Sequence, residues 1–196
     1  GQDHLLNVER LQFSDRSVVI ESRAHGSFSD LPASVYQFFI LAFGAAPGVE
    51  YLQQCADAYR GIVAGVTGGA LPAAASAAVR LITNVFCGKN EFTSVYASTL
   101  SHRELATQLV AKVVGASATE ASKAAAVNDI AGALDAGLSI GNMIFTVFSN
   151  LAAKPLQGDE WSGTAQLFQN QIKVAQYYTE VMNQSTTDRA TLTAAI

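Results

Sequence analysis

Apolar positions recur along this chain at two periods. Near the start, Val8, Leu11 and Phe13 alternate with polar residues, and Val18-Val-Ile20 is a β-branched run. Ser14-Asp-Arg-Ser17 lies between them as a turn, so residues 1–21 read as a short β-hairpin. Such a hairpin is marginal in water and needs a surface or a partner strand. Beyond it the period lengthens to three and four, which is the spacing of an amphipathic helix.

Ser22–Leu31 reads as a linker, closed by Asp30 as a helix cap with Pro32 in the first turn. The helix over 32–43 carries Val35, Tyr36, Phe38, Phe39, Ile40 and Phe43, apolar nearly all round, and is expected at the centre. A second helix over 49–64 presents Tyr51, Leu52, Cys55, Tyr59, Ile62 and Val63. A third over 72–87 presents Val79, Ile82, Val85 and Phe86, and Gly88-Lys-Asn90 stops it. Ser101 with Glu104 and Ser117 with Glu120 match the capping box, in which a hydroxyl and a carboxylate satisfy opposite backbone donors. Helices follow each box. The second, over 118–136, ends at Gly137, and Ser139 caps the next. Ile140, Met143, Ile144, Val147, Phe148 and Leu151 make that helix too apolar for water. A last long helix over 161–183 has Trp161, Ala165, Phe168, Ile172, Ala175 and Val181 as its stripe, with a short tail helix after Asp188. The expectation is a mostly α fold: a compact multi-helix bundle over 32–196, divisible at 98/99, behind an N-terminal hairpin.

Composition narrows the function. Of 196 residues, 49% are apolar and 14% charged, with net charge -4 and mean hydropathy +0.22. Alanine supplies much of the apolar share and 15 glycines add further small positions, so surfaces are weakly charged and suit contact with other copies. Basic residues are scattered, which argues against nucleic-acid binding. The apolar runs Val35–Val49 and Ala70–Val79 are interrupted by Pro47 and Pro72 and are short for a bilayer, so no membrane span is expected. The chain opens on Gly1 without a signal-peptide pattern, which reads as a fragment, a processed product or a tagged chain.

Candidate chemistry is sparse. Cys55 and Cys87 read either as two buried thiols or as a disulfide between helices. His4, His25 and His102 are far apart, and no Gly-x-Ser-x-Gly elbow accompanies them. Asp159 and Glu160 read as acids at a helix N-terminus, where the dipole favours them. Calcium has no supporting motif, and no cofactor is expected. Tyr51, Tyr59, Tyr96, Tyr177, Tyr178 and Trp161 read as core aromatics with polar tips.

Several phrases resemble known families. Asn7-Val-Glu-Arg-Leu-Gln-Phe-Ser-Asp15 resembles the segment that follows calcium-binding nonapeptide arrays in secreted RTX-type proteins. Tyr36-Gln-Phe-Phe39, Phe43-Gly44, Pro47-Gly48 and Tyr51-Leu52 resemble the start of the DUF4214-type helical repeat, and Leu134-Asp-Ala-Gly-Leu-Ser139 resembles its turn. The Tyr-Gln-Phe-Phe segment is also similar to the N-terminal helical region of S-layer proteins exported by type I secretion. Phe168–Thr179 resembles a phrase near the ends of large bacterial surface proteins. Ala45-Ala46 and Leu52 depart from the repeat, and no Gly-Gly-x-Gly-x-Asp nonapeptide occurs. The resemblance implies secretion to the bacterial cell surface and a non-enzymatic structural role.

The reading that follows is a self-assembling surface protein, forming a layer, filament or similar polymer of its own copies. Leu5, Val8, Leu11, Phe13, Val18 and Ile20 are the expected assembly-strand positions. The alternative is a helical anchoring or adhesin module that binds lipopolysaccharide or another surface glycan.

Overall fold

The structure, a computed structural model, describes residues 28–114 and 118–196, and the backbone of 10–12 and 17–19. Its frame is a bundle of helices around α1 (Ser34–Phe43), in which eight consecutive or near-consecutive residues from Val35 to Phe43 are buried. That outcome follows from the sequence: a helix apolar on every side has no face to give to water. α1 packs against α3 (Leu71–Cys87), α5 (His102–Val113), α7 (Ile140–Ala152) and α8 (Ser162–Gln176). α2 (Gly48–Val63) lies along α3, and α6 (Glu120–Asp135) lies along α5. One cluster of buried side chains runs from Phe28 to Leu192, so the core crosses residue 98.

Local signals set many of the ends. Gly44 takes φ 59° and closes α1 with its N–H on the Ile40 carbonyl. Ser101 and Glu104 form both halves of the capping box at α5. Ser139 accepts from the Asn142 N–H at the start of α7, after Gly137 with φ 93°. Asp188 caps the tail helix α9 (Arg189–Ala194) by accepting from the Thr191 N–H.

Other expectations are corrected. Asp30 does not cap α1, whose N-cap is Ala33 without a side-chain bond. Asp30 instead receives two hydrogen bonds from Arg60 of α2, at 2.7 and 2.8 Å, a charge pairing stronger than a cap. The cap of α6 is Thr119, whose hydroxyl accepts from Ser122; Ser117 lies outside the described residues. Pro72 does not interrupt its apolar run, because it sits in the first turn of α3, where a missing N–H costs nothing. Gly88 ends α3 as expected, and the chain then turns into α4 (Asn90–Thr93), held by Phe92 and Tyr96, whose rings lie 4.7 Å apart. The last long helix is α8 followed by a π-turn over Tyr177–Val181, closed by the Met182 N–H on the Tyr177 carbonyl.

At the N-terminus the structure describes the backbone of two three-residue segments, Arg10–Gln12 (β1) and Ser17–Val19 (β2). The remainder of the expected 1–21 hairpin lies outside the described residues. The fold of the described residues is the helical bundle.

Candidate interaction surface

One stretch of exposed apolar ground lies on α3. Its inner side is Val79, Ile82, Thr83 and Phe86, all buried. Its outer side is Ala73, Ala77, Leu81 and Val85, four residues apart and all exposed. Leu81 is 52% and Val85 55% exposed, so Val85 leaves the stripe in which it was expected. The 3-10 turn Gly68–Ala70 runs straight into α3, and within the 20-residue segment Gly68–Cys87 the most apolar 18-residue window has mean hydropathy 1.4. By length and composition alone it is apolar enough to cross a membrane, yet only 28% of its most apolar window is buried in the fold. Ala58 and Ile62 of α2 face the same groove, of about 430 Å3, between the two helices. Lys89 closes one end: its ammonium donates to Gln54 Oε1 at 3.0 Å and lies 4.2 Å from the Phe86 ring centre. Its stem thus covers apolar surface while its charge stays wet.

A second exposed stripe follows the end of α8. Val174, Tyr177, Val181 and Met182 are 44–68% exposed. Val181 was expected inward; the π-turn adds a residue to the turn and carries it outward.

The strand positions expected to mediate assembly fall at the other end of the chain. Leu11 lies in β1 and Val18 in β2. Leu5, Val8, Phe13 and Ile20 lie outside the described residues.

Buried polar chemistry serves the packing. Cys55 of α2 and Cys87 at the end of α3 stand as separate free thiols, one buried and one half-buried, so the disulfide alternative is not formed here. Burial pushes both up to about 12, which keeps them protonated and poorly nucleophilic near neutrality. Tyr36 donates to Glu180 Oε1 at 2.6 Å, and burial followed by that bond raises its phenol well above its ordinary value. Tyr96 donates to the Ala42 carbonyl at 2.9 Å. Tyr36, Tyr59 and Tyr96 are buried, whereas Tyr177 is 56% exposed. His102 sits in the first turn of α5 with Nδ1 2.6 Å from Asp135 Oδ1. Asp159 accepts from the Trp161 N–H at 2.7 Å and Glu160 from Ser122 at 2.6 Å, both just before α8. Among the described residues, no group of three or more His, Cys, Asp or Glu side chains converges as a metal site.

Sequence reading missed Asn84 of α3. Its amide donates to Asn142 Oδ1 at 3.0 Å and its carbonyl oxygen accepts from the Ser139 hydroxyl at 2.9 Å. It thereby ties α3 to the capped start of α7. Nothing in the local sequence marks it, because both partners are more than 50 residues away.

Comparison with known proteins gives no significant match to a family model, to a curated protein or to a solved structure.

Proposed function

We propose that this chain is a non-catalytic structural module of a secreted bacterial cell-surface protein, and that its copies assemble into a layer, filament or similar polymer. The observation that carries the reading is the outward stripe of α3, with Leu81 and Val85 more than half exposed beside Ile62. Water-facing apolar ground of this kind is stabilised when another protein surface covers it. The small side chains of Ala73 and Ala77 in the same stripe let a partner backbone come close. The stripe at the end of α8 comes from a separate stretch of the chain, and a contact between it and the α3 stripe of another copy would be head-to-tail and would generate an open polymer.

Strand addition through residues 1–21 is the second element of the proposal. Leu5, Val8, Leu11, Phe13, Val18 and Ile20 would line the added strands, and backbone hydrogen bonds would supply affinity. The reading assigns the chain to the outside of the cell, with its own copies as partners and no cofactor.

Light scattering after size exclusion, with negative-stain imaging, tests it. The wild-type chain should form assemblies that Leu81→Glu with Val85→Glu dissolves and that deletion of 1–21 shortens. Assemblies unchanged in both variants reject the mechanism. A monodisperse wild-type monomer that binds outer-membrane polysaccharide supports the anchoring alternative instead.

A further inference from the structure

A cleft of about 260 Å3 opens between α5, α6, α7 and the start of α8, away from the α2–α3 groove. Its floor is dry: Leu41, Leu109 and Met143 are 1–3% exposed, and Ile130 and Leu151 flank them. Its rim is polar, with Asp129, Asn150, Lys154 and the half-buried Trp161. An apolar cavity of roughly 150 Å3 already holds benzene, and water enters such space only when it finds two to four polar partners. Thr164 is the one polar side chain in this buried lining and already has a partner, so the floor offers water no such set and the space suits an apolar body larger than one small ring.

We propose that the cleft binds an uncharged amphiphile, an alkyl chain or apolar ring ending in a hydroxyl or carbonyl head. The rim chooses the head. Lys154 is 3.9 Å from Asp159, which engages its charge, and Asp129 supplies a further anion. An anionic head is repelled by Asp129 and finds Lys154 already engaged, while an ammonium head gains little from one exposed carboxylate against the loss of its own hydration. Among the described residues, neither the Asn150 amide nor the Trp161 indole N–H makes a hydrogen bond, so both can donate to a neutral oxygen. The arrangement has the form of a small-ligand site, mostly apolar with a few placed polar groups.

Trp161 is the single tryptophan of the chain, so its emission reports on the cleft directly. The chain is titrated with 1-decanol, decanoate and decylamine, each below its micellar concentration. Decanol should shift Trp161 emission saturably and raise Tm, and nuclear Overhauser contacts should join the decanol chain to the Met143 methyl. Decanoate and decylamine should bind at least ten-fold more weakly. Val147→Phe and, independently, Ala126→Leu fill the space and should weaken decanol binding at least ten-fold, with unchanged far-ultraviolet dichroism as the check on folding. The proposal is overturned if decanol gives no saturable shift and no contact to Met143 in the wild-type chain. It is also overturned if the folded filling variants bind as the wild type does. Tighter binding of either charged probe overturns the assignment of the head group. These readouts use the wild-type chain in its soluble form and do not depend on assembly.

Discussion

Gly141 and Asn84 meet almost backbone to backbone: a Cβ on Gly141 would lie 2.6 Å from the Asn84 Cα and 2.5 Å from its Oδ1. No side chain fits there unless α7 moves off α3. The same Asn84 accepts from Ser139, the cap of α7, and donates to Asn142 one turn later. Close approach and hydrogen bonds thus fix one register between the two helices. Gly141→Ala should destabilise the fold by about 1–3 kcal/mol, the usual cost of overpacking. Urea denaturation measures this, with the midpoint falling at unchanged slope. A neutral or stabilising Gly141→Ala would mean that the helices do not approach this closely.

A second long-range tie joins Tyr36, in the central helix, to Glu180 in the π-turn. The carboxylate is half-buried and the phenol 2% exposed. Tyr36→Phe keeps the ring and removes the donor, which should cost about 1.5–3 kcal/mol, the range for hydrogen bonds to charged groups. Glu180→Gln retains an acceptor and should cost less. Equal losses in both variants, read from urea midpoints, would show that packing rather than the bond matters at this position.

These two ties show what sequence reading reaches and where it stops. The cap at Ser139, the box at Ser101–Glu104 and the cap at Asp188 are legible because donor and acceptor lie three residues apart. α1 is legible as the centre because its composition leaves no other place for it. Asp30 was misread because Arg60, 30 residues on, outcompetes the local cap. Val85 stands beside Ile82 and Phe86 and so reads as part of the inner stripe, and Val181 is carried outward by the π-turn. The candidate surface was the least legible part. Its apolar residues satisfy the same period as the core, and only packing shows which face α2 and α7 leave uncovered.

Acid should weaken the fold through exposed carboxylates that accept fixed hydrogen bonds. Arg60 holds Asp30 below its ordinary 3.8, Ser101 holds Glu104 below 4.5, and Thr191 holds Asp188 below 3.8. Each binds its proton less readily folded than unfolded, so the unfolded chain takes up protons first as pH falls. Their contribution is complete above about pH 5 and is lost as pH drops through the ordinary carboxylate range and then the folded values. Urea midpoints recorded from about pH 7 down to about pH 2 should therefore decline on the acid side. In Asp30→Asn, Glu104→Gln and Asp188→Asn combined, the decline should be shallower. A variant curve parallel to the wild type throughout would show that other carboxylates carry the acid transition.

Thr179 gives the sharpest test of the π-turn. Its hydroxyl is fully buried and is the one buried side-chain polar atom among the described residues without a hydrogen-bond partner. A buried hydroxyl left unpaired costs on the order of 1–3 kcal/mol, while an isosteric apolar group at the same place does not. Valine matches threonine in shape and in β-branching, so its packing against the core should be retained. Thr179→Val should therefore stabilise the chain by about 1 kcal/mol, seen as a higher urea midpoint with unchanged slope. Thr179→Ser, which keeps the hydroxyl and deletes a methyl, should destabilise it. If valine also destabilises, the hydroxyl has a partner in solution, and the π-turn is held by a hydrogen bond supplied by water.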